Sequence, residues 1–348
     1  VLLVADTHLG LDAPERPRVE RRRRGEDFFR GFEQALAPAL RGAVDVVVHG
    51  GDLFHHPRVS NALVERASAP LRRIADAGIP VVLVPGNHER GALPHALWLQ
   101  HRRIHVFDRP RSFALDVRGA RVVVAGFPSS AARLARARRG VRGEFGALLD
   151  ATGHADHAAD LRLLCLHEAF EGARVGPSDF TFRAGDDVVA AASLPAGFAA
   201  VLAGHIHRHQ ILTHDLRGRP LAAPVLYPGS VERTSVAERD ETKGHLELEL
   251  VPGARPGEAL GRAVFRPLPT RPMVVVRLEA PAEPAHVERA LERVVAGAPP
   301  DAVVCVRVAG PRPPGRALPL AAARLRALVP AGMSLDLGYA GSAARVRV

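Results

Sequence analysis

The chain begins with the apolar run Val1–Ala5, and Asp6-Thr7-His8 follows it directly. The run is too short for a confident helix, and its Val and Leu residues are typical of a strand that is buried on both faces. In the extended chain that leaves such a strand, side chains at positions i and i+2 point the same way. Asp6 and His8 are therefore expected to reach into one shared site.

Four further apolar runs have the same length and character, and a polar cluster follows each one. The runs are Val44–Val48, Val81–Val84, Leu161–Leu166 and Phe198–Ala203. The clusters are Gly50-Gly51-Asp52, Gly86-Asn87-His88-Glu89, His167-Glu168 and Gly204-His205-Ile206-His207. Helical spacing in Arg21–Leu40 and in about 62–77 separates the first three runs, so the pattern predicts a largely parallel α/β sheet. The carboxyl ends of such strands share one edge, where ligands bind, and the clusters are expected to converge there.

Shorter strand pairs in the same region predict a second sheet that packs on the first. They are 112–117 with 121–126, and 210–214 with 225–227, followed by 245–251. Residues 1–251 are therefore assigned to one large domain. The Pro-, Gly- and Arg-rich segment 252–272 is typical of a linker, and 273–348 has a β-α-β-α-β pattern, typical of a small α+β domain.

The residue types in the clusters suit hard or borderline divalent metal ions. Carboxylate, amide-carbonyl and imidazole ligands together favour Mn²⁺, Fe²⁺ or Zn²⁺, and the lack of a cysteine cluster argues against a structural zinc site. Glycines before Asp52, Asn87 and His205 let the backbone turn sharply near the ions. One histidine at a strand end is usually an ordinary surface or core residue, but five clusters after five buried runs do not arise easily by chance.

This order of motifs resembles the calcineurin-like metallophosphoesterases over about 1–232. The resemblance implies a four-layer αββα sandwich and two metal ions that share Asp52. It implies one ion bound by Asp6, His8, Asp52 and His207, and another bound by Asp52, Asn87, His167 and His205. His88 matches the catalytic histidine of the family, which supplies a proton or a positive charge to the leaving alkoxide.

Local sequences narrow the resemblance to the SbcD-type DNA repair exonucleases. The stretches that carry it are 6–10, 51–55 and 227–233, together with Arg24, Asp27 and Phe28. It implies a C-terminal cap domain over 273–348 and a second catalytic histidine, His55, which orients DNA or phosphate. An ordinary polar loop residue is the alternative for His55.

The net charge and the cysteine content bear on the partners and the cellular location of the protein. The formal net charge is +10, which fits a polyanionic partner, but nearly all of it is arginine and can equally reflect genomic base composition. Arg21–Arg24 are expected either to contact DNA phosphates or to be a solvated helix start. The two cysteines are far apart and imply no disulfide framework, and no apolar run reaches the ~18–20 residues that span a bilayer. A cytoplasmic protein without a membrane partner is therefore expected.

The leading functional hypothesis is a metal-dependent DNA repair nuclease, a 3′→5′ exonuclease with some single-strand endonuclease activity, as the resemblance implies. Mn²⁺ is the expected metal, and DNA, an SMC-like ATPase of the SbcC type and a second copy of the chain are the expected partners. A phosphodiesterase or phosphatase acting on small nucleotides is the alternative enzyme. A non-catalytic DNA-end-binding scaffold would predict a damaged set of ligands, whereas every ligand position is filled.

Overall fold

The computed structural model describes residues 1–12, 23–97, 99, 101–129, 140–278, 284–309 and 320–339. The chain divides into two compact units. Unit 1 consists of Val1–Gly10, Phe28–Thr234 and Asp240–Pro269, and unit 2 consists of Leu11–Asp27, Ser235–Arg239 and Thr270–Val348. The boundaries at 251 and 273 that the sequence suggests stay predictions.

The helices have 7 to 16 residues and the strands have 2 to 8 residues. The helices are α1 Gly25–Leu40, α2 Asn61–Asp76, α3 Val141–Asp150, α4 Pro284–Gly297 and α5 Ala322–Leu328. The first strands are β1 Leu2–Val4, β2 Val47–His49, β3 Val81–Leu83, β4 Ile104–Val106, β5 Arg111–Val117, β6 Ala120–Gly126, β7 Leu161–His167, β8 Ala169–Phe170 and β9 Arg174–Val175. The remaining strands are β10 Phe180–Thr181, β11 Val188–Val189, β12 Ala200–Gly204, β13 Gln210–His214, β14 Pro220–Tyr227, β15 Gly244–Leu250, β16 Leu260–Pro267, β17 Met273–Leu278, β18 Val303–Val308 and β19 Ser334–Tyr339.

Unit 1 contains two six-stranded sheets. The first has the order β16-β15-β1-β2-β3-β4, and the second has the order β13-β14-β12-β7-β6-β5. Neighbours from β1 to β4 are parallel, as are β14, β12, β7 and β6, and antiparallel strands complete the edges.

The five apolar runs fall in both sheets, and the expectation that their clusters meet at the edge of one sheet was wrong. β1, β2 and β3 belong to the first sheet, whereas β7 and β12 are neighbours in the second. A continuous apolar run indicates a strand that is buried on both faces. Interior strands of either of two stacked sheets have this pattern, so the sequence could not show to which sheet each strand belongs.

Apolar side chains fill the space between the layers of unit 1. Leu3 and Val48 of the first sheet share a buried cluster with Val124 and Leu163 of the second. On its other face, the second sheet packs against apolar side chains of α3, and α2 contacts β3 and β4 on the first sheet. α1 contributes a buried apolar stripe that includes Phe28, Phe32 and Leu36. The αββα sandwich predicted from the family resemblance is therefore confirmed.

A strand lies inside the segment that composition predicts to be a linker. β16 pairs antiparallel with β15 at the edge of the first sheet, from Gly244↔Pro267 to Leu250↔Leu260. Its residues are exposed or only half-buried, so they lack the continuous apolar run that identifies an interior strand. An exposed edge strand therefore has the composition of a loop.

Unit 2 has a parallel three-stranded sheet of order β17-β18-β19, joined by α4 and α5 as the β-α-β-α-β pattern predicts. Within this unit, the buried Arg271 guanidinium donates to Asp27 at 2.9 Å and to Ser334 at 3.0 Å. The capping role of this unit stays a prediction. Among the described residues, no helix is both long and apolar enough to cross a membrane.

Adjacent leucines of β7 test whether the second sheet is buried on both faces. Leu163 faces the first sheet and Leu164 faces the α3 side, and both are fully buried. We expect Leu163→Ala and Leu164→Ala each to lower the free energy of unfolding by about 2–5 kcal/mol, measured by urea denaturation. The control Leu216→Ala, at a 40% exposed position, should change it by less than about 0.5 kcal/mol. A negligible effect of either β7 variant would contradict the four-layer arrangement.

Candidate metal centre

The ends of five strands place the predicted ligands in one cluster of buried and half-buried side chains. Asp6 and His8 follow β1, Asp52 follows β2, and Asn87 follows β3. His167 is the last residue of β7, and His205 and His207 follow β12. Close contacts join all of these residues, so the structure brings the seven predicted ligands together across the two sheets.

Four of these residues have a backbone conformation that side chains disfavour. The φ angles are 51° at Asp6, 44° at His8, 52° at Asp52 and 86° at His205. Each such residue costs of order 1–3 kcal/mol and persists only where its surroundings impose it. Such strain is concentrated at functional sites in proteins, and here it coincides with the predicted ligands.

Glycines allow the strand ends to approach each other closely. A Cβ atom on Gly50 would lie 3.0 Å from the amide nitrogen of Gly204, across the gap between the two sheets. A Cβ atom on Gly51 would lie 2.2 Å from Nδ1 of His167, and one on Gly86 would lie 2.0 Å from Oδ1 of Asp52. The space that these side chains would fill is taken by the site itself.

The first group of candidate ligands consists of Asp6, His8 and His207, whose donor atoms lie within 4.8 Å of one another. Nε2 of His8 lies 3.0 Å from Nε2 of His207, and that atom lies 4.0 Å from Oδ1 of Asp6. Nε2 of His8 also lies 3.8 Å from Oδ2 of Asp52. The four residues that the resemblance assigns to one ion are therefore neighbours.

The second group is centred on Asn87. Its Oδ1 atom lies 2.9 Å from Nε2 of His167 and 3.0 Å from Nδ1 of His205. Nε2 of His167 is 3.3 Å from Oδ2 of Asp52. Nδ1 of His167 donates to the carbonyl oxygen of Gly50 at 2.8 Å, which leaves Nε2 directed at the site. Asp52 contacts both groups, in agreement with a shared ligand.

Burial governs the charges in the cluster. It lowers the pKa of His8 well below its usual value and the pKa of His205 to about 3, so these imidazoles are neutral, as metal ligands must be. Burial also raises the pKa of Asp6. It also lowers the pKa of His167, but the Asp52 and Asp6 carboxylates and the hydrogen bond to Gly50 together outweigh this effect and bring that pKa to about 10. A protonated His167 in turn holds the pKa of Asp52 well below its usual range, although burial raises it.

His88 and His55 lie beside the first group. The backbone N–H of His88 donates to Oδ1 of Asp52 at 3.0 Å, and its Nδ1 donates to the carbonyl oxygen of His55 at 2.9 Å. Nδ1 of His55 lies 3.2 Å from Nδ1 of His8, and burial lowers the pKa of His55 to about 4. Both predicted catalytic histidines are thus placed at the site. Arg23 pairs with Asp12 instead of standing free, and Arg21 and Arg22 lie outside the described residues.

Two residues that support the site were missed by sequence reasoning. Glu89 is buried, and its carboxylate accepts from the backbone N–H of Phe54 at 2.7 Å and of Gly86 at 2.6 Å. Burial and the nearby Asp52 charge raise the pKa of Glu89 to about 8. His49 is also buried, and its Nε2 lies 3.0 Å from the hydroxyl of Thr7. Their positions directly after Asn87-His88 and directly before Gly50 were the available signals.

The donor set fits divalent metal ions. Carboxylate oxygens, an amide oxygen and imidazole nitrogens converge among the described residues without a thiolate, which suits Mn²⁺, Fe²⁺ or Zn²⁺. The glycine positions described above keep the space around these atoms free of side chains. Removing two carboxylates from water is also costly unless cations balance them.

The family model for calcineurin-like phosphoesterases matches residues 1–209 of the chain. The chain belongs to this family. Its members use two divalent metal ions, and the clustered Asp and His groups are able to bind such ions. The matched residues contain all seven predicted ligands as well as His55 and His88.

Two similar proteins carry the name DNA double-strand break repair protein Mre11. The one from Haloferax volcanii is 33% identical over 89% of this chain and 61% of its own length. The one from Saccharolobus solfataricus is 28% identical over 62% of this chain and 51% of its own length. The chain therefore spans about half to three fifths of these relatives. A dimetal phosphatase structure from Danio rerio matches 72% of this chain and 91% of its own, at 14% identity and a TM-score of 0.42, too low to support an argument.

Gly86 provides a test of the close packing around the metal site. A methyl group at this position would displace the Asp52 carboxylate, so we expect Gly86→Ala to weaken Mn²⁺ uptake by at least about tenfold, measured by isothermal titration calorimetry. The matched control is Gly146→Ala in α3, where a Cβ meets nothing within 4 Å. Unchanged uptake by Gly86→Ala would mean that Asp52 is not a ligand.

Glu89 provides a test of the support beneath the site. Glu89→Ala leaves two backbone N–H groups without their carboxylate acceptor, so we expect a loss of at least about 1–3 kcal/mol in the free energy of unfolding. Urea denaturation in the presence of EDTA measures this loss without any contribution from bound metal. Glu89→Gln keeps one acceptor oxygen and should lose less, and equal stability of Glu89→Ala and the wild type would refute the role.

Proposed function

We infer that this protein is a metal-dependent DNA repair nuclease that hydrolyses phosphodiester bonds. The observation that carries this proposal is the complete set of clustered candidate ligands, which are buried or half-buried, with His88 directly beside them. A nuclease needs this set intact, whereas a non-catalytic DNA-end-binding scaffold does not. The names of the relatives support DNA as the substrate, and the net charge of +10 is compatible with it.

We assign two divalent ions, with Mn²⁺ as the proposed metal, to the two groups of donors. Asp6, His8, Asp52 and His207 would hold one ion, and Asp52, Asn87, His167 and His205 would hold the other. When bound, such ions activate a water molecule for attack and neutralise the phosphate oxygens. The protein fixes the donor atoms in advance through the hydrogen bonds of His167 to Gly50 and of His205 to Asp6.

His88 is proposed as the residue that assists the leaving alkoxide. Since a carbonyl oxygen only accepts hydrogen bonds, the contact to His55 fixes the proton of His88 on Nδ1. Nε2 is then the atom that faces substrate and, when protonated, donates a proton to the alkoxide. The bond from the backbone N–H of His88 to Asp52 keeps this ring next to the metal ligands. His55 supports the ring from the other side and is proposed to orient the phosphate.

The finer assignments rest on the family resemblance and the charge. They are 3′→5′ polarity with some single-strand endonuclease activity, an SMC-like ATPase partner and a homodimeric assembly. A cytoplasmic location belongs to the same set. The chain spans only part of the length of its relatives, so activity on DNA is itself a proposal, on which these finer assignments depend.

Substitutions at His88 and Asp52 test the proposed reaction. We expect Mn²⁺-loaded wild type to degrade 3′-labelled duplex DNA, and His88→Asn to lower the rate about 10²–10⁴-fold without changing Mn²⁺ uptake. Asp52→Ala should abolish both cleavage and full metal uptake, because Asp52 contacts both groups. The exposed control His214→Asn should behave like the wild type.

The same assay with other substrates separates the alternatives. Bis-p-nitrophenyl phosphate and a cyclic dinucleotide are offered beside single-strand and duplex DNA. Metal-loaded protein that hydrolyses the small substrates but leaves DNA intact would refute the nuclease and indicate a small-nucleotide phosphodiesterase. Protein that hydrolyses none of them, with His88 and all ligands present, would refute catalysis altogether.

A further inference from the structure

The segment 228–234, which follows β14, packs against the backbone of residues 207–209. Gly229 has a φ of 80°, and a Cβ atom there would lie 2.8 Å from the carbonyl oxygen of His207 and 2.9 Å from the amide nitrogen of His209. The backbone N–H of Ser230 donates to the same carbonyl oxygen at 3.1 Å. This segment therefore holds the backbone of a candidate ligand.

Lys243 makes a second contact to this carbonyl oxygen. It is the only lysine of the chain, and its side chain is fully buried. Nζ of Lys243 donates to the carbonyl oxygen of His207 at 3.0 Å and forms an ion pair with Oε2 of Glu241 at 2.8 Å. Burial of an ammonium group is costly, and a charged partner with good hydrogen bonds must compensate for it.

The network continues from Glu241 to the residue after His207. Oε1 of Glu241 accepts from Nε of Arg208 at 3.3 Å. Nη2 of Arg208 donates to the carbonyl oxygen of Gly176 at 2.7 Å, and Nη1 pairs with Asp179. Lys243 and Arg208 are thus linked through one carboxylate, and they fix consecutive residues of the ligand-bearing loop.

Thr234 acts on the imidazole of His207 directly. Its hydroxyl lies 3.2 Å from Nδ1 of His207, which leaves Nε2 to face His8. A hydrogen bond to one ring nitrogen fixes the orientation of the imidazole and determines which nitrogen is left for a metal. His207 is therefore held at its backbone by Lys243 and at its ring by Thr234.

We propose that Lys243 and Thr234 are positioning residues that preset His207 for the ion shared with Asp6 and His8. The contacts described above join both residues to His207, which belongs to the first group of candidate ligands, so their loss is expected to weaken that metal position selectively. The inference rests on the two-metal site proposed above. It requires no DNA, so it is tested apart from the nuclease activity.

The test is a Mn²⁺ titration of the purified full chain by calorimetry, with electron paramagnetic resonance to count the bound ions. Wild type should bind two ions. Lys243→Met should weaken one ion by about 10–100-fold and leave the affinity for the other within twofold. Thr234→Val, which keeps the shape of the side chain, should act in the same way, whereas Thr234→Ser should restore binding because it retains the hydroxyl.

Arg266→Met is the matched control. Arg266 forms an ion pair with Glu247 on the edge strand β16, and its side chain is 53% exposed. The Arg266→Met substitution removes a cationic side chain of similar size from unit 1, and both Mn²⁺ affinities should stay at the wild-type value. If Lys243→Met fails to fold, the two Thr234 variants carry the test.

Two outcomes would overturn the inference. One is that Thr234→Val and a folded Lys243→Met bind both ions as tightly as the wild type. The other is that Thr234→Val weakens both ions equally, which would indicate a general loosening of the site. Selective loss of one ion in a chain that leaves DNA intact would support the positioning role while refuting the nuclease.

Discussion

The two sheets of unit 1 approach each other at their strand ends because Gly50 and Gly204 have no side chains there. Gly50 accepts a hydrogen bond from His167, so a loop of the first sheet is fixed to a strand of the second. The candidate ligands from both sheets reach the same small volume only because of this approach. The apolar layer sets the distance between the two sheets. At one end of the sheets, the glycines allow the two backbones to come into contact.

Strain and burial are balanced against each other in this region. Asp6 and Asp52 occupy disfavoured backbone conformations, and both carboxylates are removed from water. Each feature costs free energy, and the hydrogen bonds from the backbone N–H groups of His205 and His88 offset part of that cost. A site of this type is stable because the surrounding core imposes it, and the donor atoms need little rearrangement when an ion binds.

Much of this arrangement could be predicted from local sequence, since the strands and the polar residues that follow them are contiguous. Asp6, Asp52 and His167 were identified because each follows an apolar run. The division of the strands between two sheets could not be predicted, because interior strands of either sheet have the same pattern. The contacts of Lys243 to His207 and of Glu89 to Phe54 could not be predicted, since they join residues that are distant in the chain. The position of Glu89 directly after His88 was the one local signal. Strand β16 was missed because an exposed edge carries no apolar signature.

The hydrogen bond between His205 and Asp6 joins residues that are 199 positions apart. Closing so long a loop costs chain entropy, so the unfolded chain does not hold these residues together. The ions therefore have no preformed site in the unfolded chain, and they bind the native state almost exclusively. By mass action, free metal in excess of its dissociation constant adds to the stability of unit 1 in proportion to the logarithm of its concentration. Metal availability in the cell would thus affect the fraction of the protein that is folded.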